Sequence, residues 1–138
     1  MYDRILVASD GSDPANRAVE FGVDLAQQYG GTVYAIDVVN TDRYGEPALS
    51  SAELVLDEIE DRARTVLDEM EDVAEAEDVP IQTRCSHGTP HEEIVDYADE
   101  VDADVLVLGF QGRTQTGDHV GSVANRVLNS SKRPVLLV

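Results

Sequence analysis

Cysteine, lysine and long apolar runs are all scarce in this 138-residue sequence. Its only cysteine, Cys85, excludes an internal disulfide and a metal site built from several cysteines. No apolar run approaches the roughly 18 to 20 residues that a membrane-spanning helix needs. The first residues also lack the layout of a signal peptide, because their apolar stretch covers residues 5–8 alone. We therefore expect one soluble, cytoplasmic domain over residues 1–138, with 42% hydrophobic residues to supply its core.

Positive charge is also scarce, since 10 lysine and arginine residues stand against 28 aspartate and glutamate residues, giving a net charge of −18. So acidic a surface repels nucleic acid and anionic membranes, and we expect neither as a partner. The acids extend from Asp3 to Asp104 rather than forming a tail, and Lys132 is the only lysine. This pattern predicts a halophilic source, since molar salt screens the repulsion between like charges.

Acidic residues nearly disappear from the last quarter of the chain. Residues 105–138 hold one acid, Asp118, and four bases, whereas an even distribution would place about seven acids there. Buried strands carry few charges and account for part of this depletion. They do not account for residues 109–133, which are mostly polar. The pattern indicates either an anionic ligand or a subunit interface in this part of the chain.

Hydrophobic periodicity predicts alternating strands and helices along the whole chain. Apolar runs predict strands at residues 5–8, 32–39, 79–85, 104–109 and 134–138, of which 104–109 is the most apolar and is expected to be central. Four helices are predicted between them, two of which begin at capping boxes, residues 50–53 and 89–92. Strands joined by helices require right-handed crossovers and a parallel sheet. The expected fold is therefore α/β, a doubly wound open sheet with helices on both faces.

Two strand ends carry the residues best suited to bind a ligand. In open parallel sheets, ligands bind beyond the carboxyl ends of the strands, where the strand order reverses. The first strand ends in residues 10–12 (DGS), the fourth in residues 109–112 (GFQG), and Gly121-Ser122 opens the last helix. Glycines allow close approach of a phosphate, and a helix N-terminus offers N–H donors. The same residues also suit a purely structural loop with a serine cap, so both interpretations stay open.

Family motifs follow one another along the chain. Neither the G-x-x-x-x-G-K-[ST] phosphate loop nor a G-x-G-x-x-G motif after the first strand is present. The motifs that do occur are VASDGS at residues 7–12, Gly88-x-Pro90, ADVLVLG at 103–109, GSVA at 121–124 and RPVLLV at 133–138. In this order they resemble the universal stress protein family over the whole chain. The resemblance implies a five-stranded parallel sheet in the order 3-2-1-4-5, a dimer, and either an ATP-binding or a non-binding member.

The resemblance also implies a ligand, an adenine nucleotide such as AMP or ATP with Mg²⁺, at the carboxyl ends of strands 1 and 4. The ATP-binding group has the pattern G-x2-G-x9-G-[ST], and here eight residues instead of nine separate Gly112 from Gly121. By this resemblance Asp10 would contact the ribose or adenine, and Val38 would pack on adenine with Ala8 and Leu108 nearby. The ribose and phosphates would be held by the remaining site residues: Gly109, Gly112, Arg113, Gly121, Ser122 and Val123.

No catalytic or metal site is predicted. The three histidines, His87, His91 and His119, are not spaced as metal ligands, and no nucleophile, base and orienting group occur together. We expect His91 to be a surface residue early in a helix, and Cys85 to be a small core residue. The leading hypothesis is a stress-response protein that signals by nucleotide occupancy. The alternatives are a non-binding interaction module and a slow ATP or phosphate-ester hydrolase.

The last strand, residues 134–138, predicts a homodimer. It is apolar, the resemblance places it at a sheet edge, and an uncovered edge invites pairing with another chain. Lys132 and Arg133 would reduce the repulsion between two acidic surfaces. Antiparallel pairing across a two-fold axis would give a closed dimer. In the alternative interpretation, Pro134 and these cations merely blunt the edge of a monomer.

Overall fold

The computed structural model describes residues 2–10, 13–40, 49–109 and 122–138. Within these residues five strands alternate with four helices, as predicted. The elements are β1 (Arg4–Ala8), α1 (Asp13–Tyr29), β2 (Thr32–Asn40), α2 (Leu49–Ala76), β3 (Ile81–Gly88), α3 (Pro90–Val101), β4 (Val105–Leu108), α4 (Ser122–Ser130) and β5 (Val135–Leu137).

All five strands are parallel and lie in the order β3-β2-β1-β4-β5, which confirms the expected fold. The central strand is β1, in which Ile5 pairs with Val33 on one side and Val105 on the other. The expectation that residues 104–109 form the central strand was wrong by one position, because β4 lies between β1 and β5. Both strands are buried by helices on both faces, so their apolar character does not tell them apart.

The two faces of the sheet bury separate cores. The helices α1 and α2 cover one face, where Ile5 and Val7 lie among the buried side chains. The helices α3 and α4 cover the other face, where Leu6 and Leu106 are fully buried. Because side chains alternate along a strand, β1 and β4 supply both cores. The chain therefore leaves the neighbouring strands β1 and β4 toward opposite faces of the sheet.

Two helix and strand boundaries differ from the prediction. The structure places Leu49 and Ser50 inside α2, so the proposed cap at Ser50 was wrong; the same serine-to-glutamate spacing also fits a helix interior. By contrast, Thr89 is the N-cap of α3, although its side chain makes no capping hydrogen bond. The third strand begins later than expected because the Val79 amide still donates to the Ala74 carbonyl of α2, at 2.9 Å.

Hydrogen bonds from charged side chains to the backbone hold the amino ends of the central strands. The Asp104 carboxylate accepts hydrogen bonds from the amides of Asp3 and Arg4, at 2.9 and 3.0 Å. Beside it, the Arg133 guanidinium donates to the Ala103 carbonyl at 2.6 Å and pairs with the Asp102 carboxylate at 3.0 Å. Arg133 thus neutralises acids of its own chain, and this internal role accounts for one of the cations that precede β5.

Among the described residues, no helix is both long and apolar enough to cross a membrane. The longest, α2, has 28 residues, but acidic side chains recur along it.

Candidate functional site

The carboxyl ends of β1 and β4 lie side by side near the centre of the sheet, and we call the region just beyond them the crevice. These strands are neighbours, yet β1 leads into α1 on one face and β4 precedes α4 on the other. In doubly wound sheets, ligands bind where neighbouring strands diverge in this way. The structure therefore provides the topological switch point at which ligands bind in doubly wound sheets.

The floor of the crevice is apolar. Leu108, the last residue of β4, is 4% exposed, and Ala8 and Val38 are partly buried against the same core. The register Val7 to Val107 makes Ala8 and Leu108 neighbours on the face covered by α3 and α4. Three of the predicted site residues are thus brought together. Their positions also serve the packing of the core, so their burial alone does not indicate a ligand.

Backbone hydrogen bonds hold the two strand ends in place. The Ser9 amide donates to the Ile36 carbonyl at 3.1 Å, which extends the ladder one residue past β1 and leads to the half-buried Asp10. On the other side, the Val138 amide donates to the Leu108 carbonyl at 2.9 Å. The next residue, Gly109, is partly exposed at the crevice. Asp10 and Gly109 therefore follow two strand ends that are fixed by their neighbours.

The start of α4 supplies the polar side of the crevice. Ser122 is its first residue and is exposed, and Val123 is 37% exposed, whereas Ala124 and Val127 anchor the helix in the core. The first turn of a helix presents N–H groups that have no acceptor within the helix, and the helix dipole favours an anion there. This end of α4 is chemically suited to a phosphate or carboxylate. Three predicted site residues lie outside the described residues: Gly112, Arg113 and Gly121.

The histidines depart from the expectation in one respect. His87 lies on β3, and its Nε2 is 2.7 Å from the Glu60 carboxylate of α2. His91 occupies the first turn of α3 as predicted, but it is partly buried rather than a surface residue. The prediction failed because a polar residue type does not reveal which flank of a helix it occupies. His119 lies outside the described residues, within which no group of three or more His, Cys, Asp or Glu side chains is arranged for a metal ion.

Cys85 is a packing residue, as expected. It is partly buried on β3 against the core formed with α1 and α2. Burial raises the pKa of its thiol, and the nearby carboxylates of Asp37 and Glu60 add to this increase. A raised pKa leaves less of the reactive thiolate at neutral pH.

Comparison with known proteins assigns the chain to a family. The model of the universal stress protein family matches residues 1–138. The chain belongs to this family. Its relative MJ0531, a universal stress protein of Methanocaldococcus jannaschii, is 34% identical over 140 residues, which cover 100% of this chain and 82% of the relative.

Solved structures of other universal stress proteins share the fold. The structure of MJ0577 from the same organism superposes with a TM-score of 0.89 at 24% identity, covering 100% of this chain and 96% of that one. A universal stress protein in complex with cAMP has a TM-score of 0.74 and 30% identity, covering 99% and 96% of the two chains. The Archaeoglobus fulgidus protein in complex with dAMP has a TM-score of 0.73 and 27% identity, covering 99% and 97%.

Proposed function

We propose that this universal stress protein binds an adenine nucleotide in the crevice between β1 and β4. The main support for this proposal is that an apolar surface, formed by Ala8, Val38 and Leu108, is combined with the N-terminus of α4. A purine needs an apolar surface on which to lie, and a phosphate needs N–H donors, so the two parts of the crevice suit the two parts of a nucleotide. The complexes of two structural relatives with cAMP and dAMP support this proposal.

Asp10 follows β1 beside the apolar floor, and we propose that it contacts the ribose or the adenine edge. Gly109, Ser122 and Val123 would hold the ribose and phosphates, together with Gly112, Gly121 and the Arg113 side chain. ATP would enter with Mg²⁺, and AMP without it. The segment between Gly112 and Gly121 contains eight residues, one fewer than the ATP-binding pattern, so AMP is the ligand to test first.

We propose that occupancy rather than turnover carries the signal of this stress protein. In the part of the chain that the structure describes, the one histidine paired with a carboxylate is His87, and it lies on the face covered by α2, away from the crevice. A stress-response role of this kind suits a cytoplasmic protein. The net charge of −18 further supports our proposal that the source is halophilic.

A charge placed at the start of α4 tests the proposed site. AMP at about 100 times its Kd should raise the free energy of unfolding by about 2.7 kcal/mol, measured by thermal unfolding in molar KCl. Ser122→Glu should abolish this gain, because its carboxylate repels phosphate, while slightly stabilising α4 through the helix dipole. Asn129→Glu, an exposed position near the other end of the same helix, is the control with equal net charge and should retain the AMP effect. Wild-type protein that gains no stability from AMP, ADP or ATP would favour the non-binding interaction module.

We also propose that the protein forms a homodimer through residues 134–138. In its support, β5 lies at a sheet edge, and its middle residue, Leu136, is 37% exposed. Leu136→Lys would place two like charges near the two-fold axis and should yield monomers by light scattering in molar KCl. Tyr29→Lys, an equally drastic change at the exposed end of α1, should leave the mass unchanged. A dimer that survives Leu136→Lys would locate the interface elsewhere.

A further inference from the structure

One buried nitrogen near the crevice has no hydrogen-bond partner in the described part of the chain. This atom is Nδ1 of His91, which is enclosed although the residue as a whole is only partly buried. Leaving a polar atom buried without a partner costs about 1–3 kcal/mol, and such atoms are rare in folded proteins. A bound ligand that supplies the missing partner would recover this cost.

The position of α3 places His91 at the carboxyl edge of the sheet. The helix starts directly after β3, whose last residue Gly88 pairs with Asn40, the last residue of β2. His91 therefore lies level with the strand ends rather than with the middle of the sheet. It also lies on the face that carries Ala8 and Leu108, because α3 packs on that face.

The contacts of Tyr97 show which flank of α3 carries His91. The Tyr97 ring lies 4.2 Å from the Arg84 guanidinium of β3 and stacks edge-on with Tyr34 of β2, so its flank faces the β3 side. His91 precedes Tyr97 by six residues, which at 3.6 residues per turn places it about 120° around the helix. It shares its flank with Val95, four residues later. This flank faces β1 and α4, with both of which α3 is packed.

We propose that His91 is a ligand-binding residue of the crevice, whose Nδ1–H donates a hydrogen bond to a phosphate oxygen of the bound nucleotide. This inference rests on the proposed nucleotide binding. We assign the contact to the phosphate because His91 lies on the flank of α3 that faces α4, and the N-terminus of α4 suits an anion. The base would lie on the apolar surface formed by Ala8, Val38 and Leu108. Neutral imidazole carries its proton on either nitrogen, so a phosphate oxygen at Nδ1 selects the tautomer that donates from it.

Two substitutions at His91 separate a ligand contact from a structural role. His91→Leu removes both nitrogens, and should weaken AMP binding about ten- to hundredfold by calorimetry in molar KCl, while adenosine binding changes little. His91→Asn places an amide nitrogen near the position of Nδ1 and should restore much of the AMP affinity. His87→Leu is the matched control, since His87 faces Glu60 across the other side of the sheet, and it should bind AMP as the wild type does.

Stability and ligand choice decide the outcome. Without ligand, His91→Leu should unfold at or above the wild-type temperature, because it removes a buried nitrogen that lacks a partner. Equal AMP affinities of the wild type and His91→Leu would overturn the inference and leave the proposed function standing. Equal losses of AMP and adenosine affinity would overturn the phosphate contact. A wild-type protein that binds no adenine nucleotide would refute the proposed function and this inference with it.

Discussion

Gly22 allows α1 to approach the central strand closely, and a methyl group at this position should destabilise the fold. A Cβ built on Gly22 overlaps Cγ2 of Val7 and lies 3.8 Å from Cγ2 of Ile5. Both side chains are 0% exposed, so neither can move away without disturbing the core. Alanine is favoured over glycine within a helix by about 1 kcal/mol, but overpacking a core costs about 1–3 kcal/mol. We expect the clash to prevail and Gly22→Ala to lower the free energy of unfolding by up to about 2 kcal/mol.

A double-mutant cycle isolates the contact between Gly22 and Val7. Val7→Ala removes the overlapping methyl group, so in that background Gly22→Ala should stabilise the protein by about 1 kcal/mol, the ordinary helix preference. The coupling between the two positions should then fall in the range of about 1–3 kcal/mol, measured by urea unfolding in molar KCl. If Gly22→Ala stabilised the wild type and the Val7→Ala variant equally, the close approach of α1 to β1 would be refuted.

Four further predictions concern the net charge, the hydrogen bonds of Asp104, the Cys85 thiol and the ion pair between Arg84 and Glu100. Unfolding in urea should occur at progressively lower denaturant as KCl is reduced from molar to millimolar, and an unchanged midpoint would refute the halophilic source. Asp104→Ala should destabilise the protein by about 1–2 kcal/mol in the same assay, because two backbone amides lose a charged acceptor. Asp99→Ala, which leaves Arg133 bonded to Asp102 and to the Ala103 carbonyl, should cost less. Iodoacetamide should modify Cys85 much more slowly in the native protein than in urea at pH 8, since burial raises the pKa of the thiol. The hydrogen bond from Arg84 lowers the pKa of Glu100 in the folded protein. The stability that this pair contributes is therefore present above the pKa of Glu100 in the unfolded chain, and it is lost as the pH falls through the pKa in the folded protein. In Arg84→Gln, an NMR titration should show the pKa of Glu100 rising.

The order of elements was predictable from the sequence because each element has its own local pattern. Alternation in β1 sends Ile5 and Val7 to one face and Leu6 to the other, and such runs identify strands without tertiary information. Boundaries were less predictable, since a capping-box spacing also occurs inside α2, and Val79 stays bonded to the end of that helix. The family resemblance predicted the sheet order, whereas apolar character alone pointed to β4 as the central strand instead of β1.

The candidate site was predictable in part, for a physical reason. Ala8, Val38 and Leu108 are apolar residues at strand ends, and any doubly wound sheet brings such positions together. The environment of His91 was not predictable in this way, because it depends on the rotation of α3 about its own axis. That rotation is fixed by Tyr97 and Ile94, which pack into the sheet several residues away. Helical spacing from these buried residues is the signal in the sequence that would have identified its flank.

The two edges of the sheet differ in a way that limits how many chains can join it. The strand β3 is long, but Arg84 at its edge is engaged by Glu100 and Tyr97, and His87 by Glu60. Polar and charged side chains of this kind discourage a further strand from adding. The opposite edge is the short, apolar β5. If two chains pair through β5 as we propose, each of them is left with only its polar β3 edge. The assembly would then stop at two chains and could not extend into a fibre.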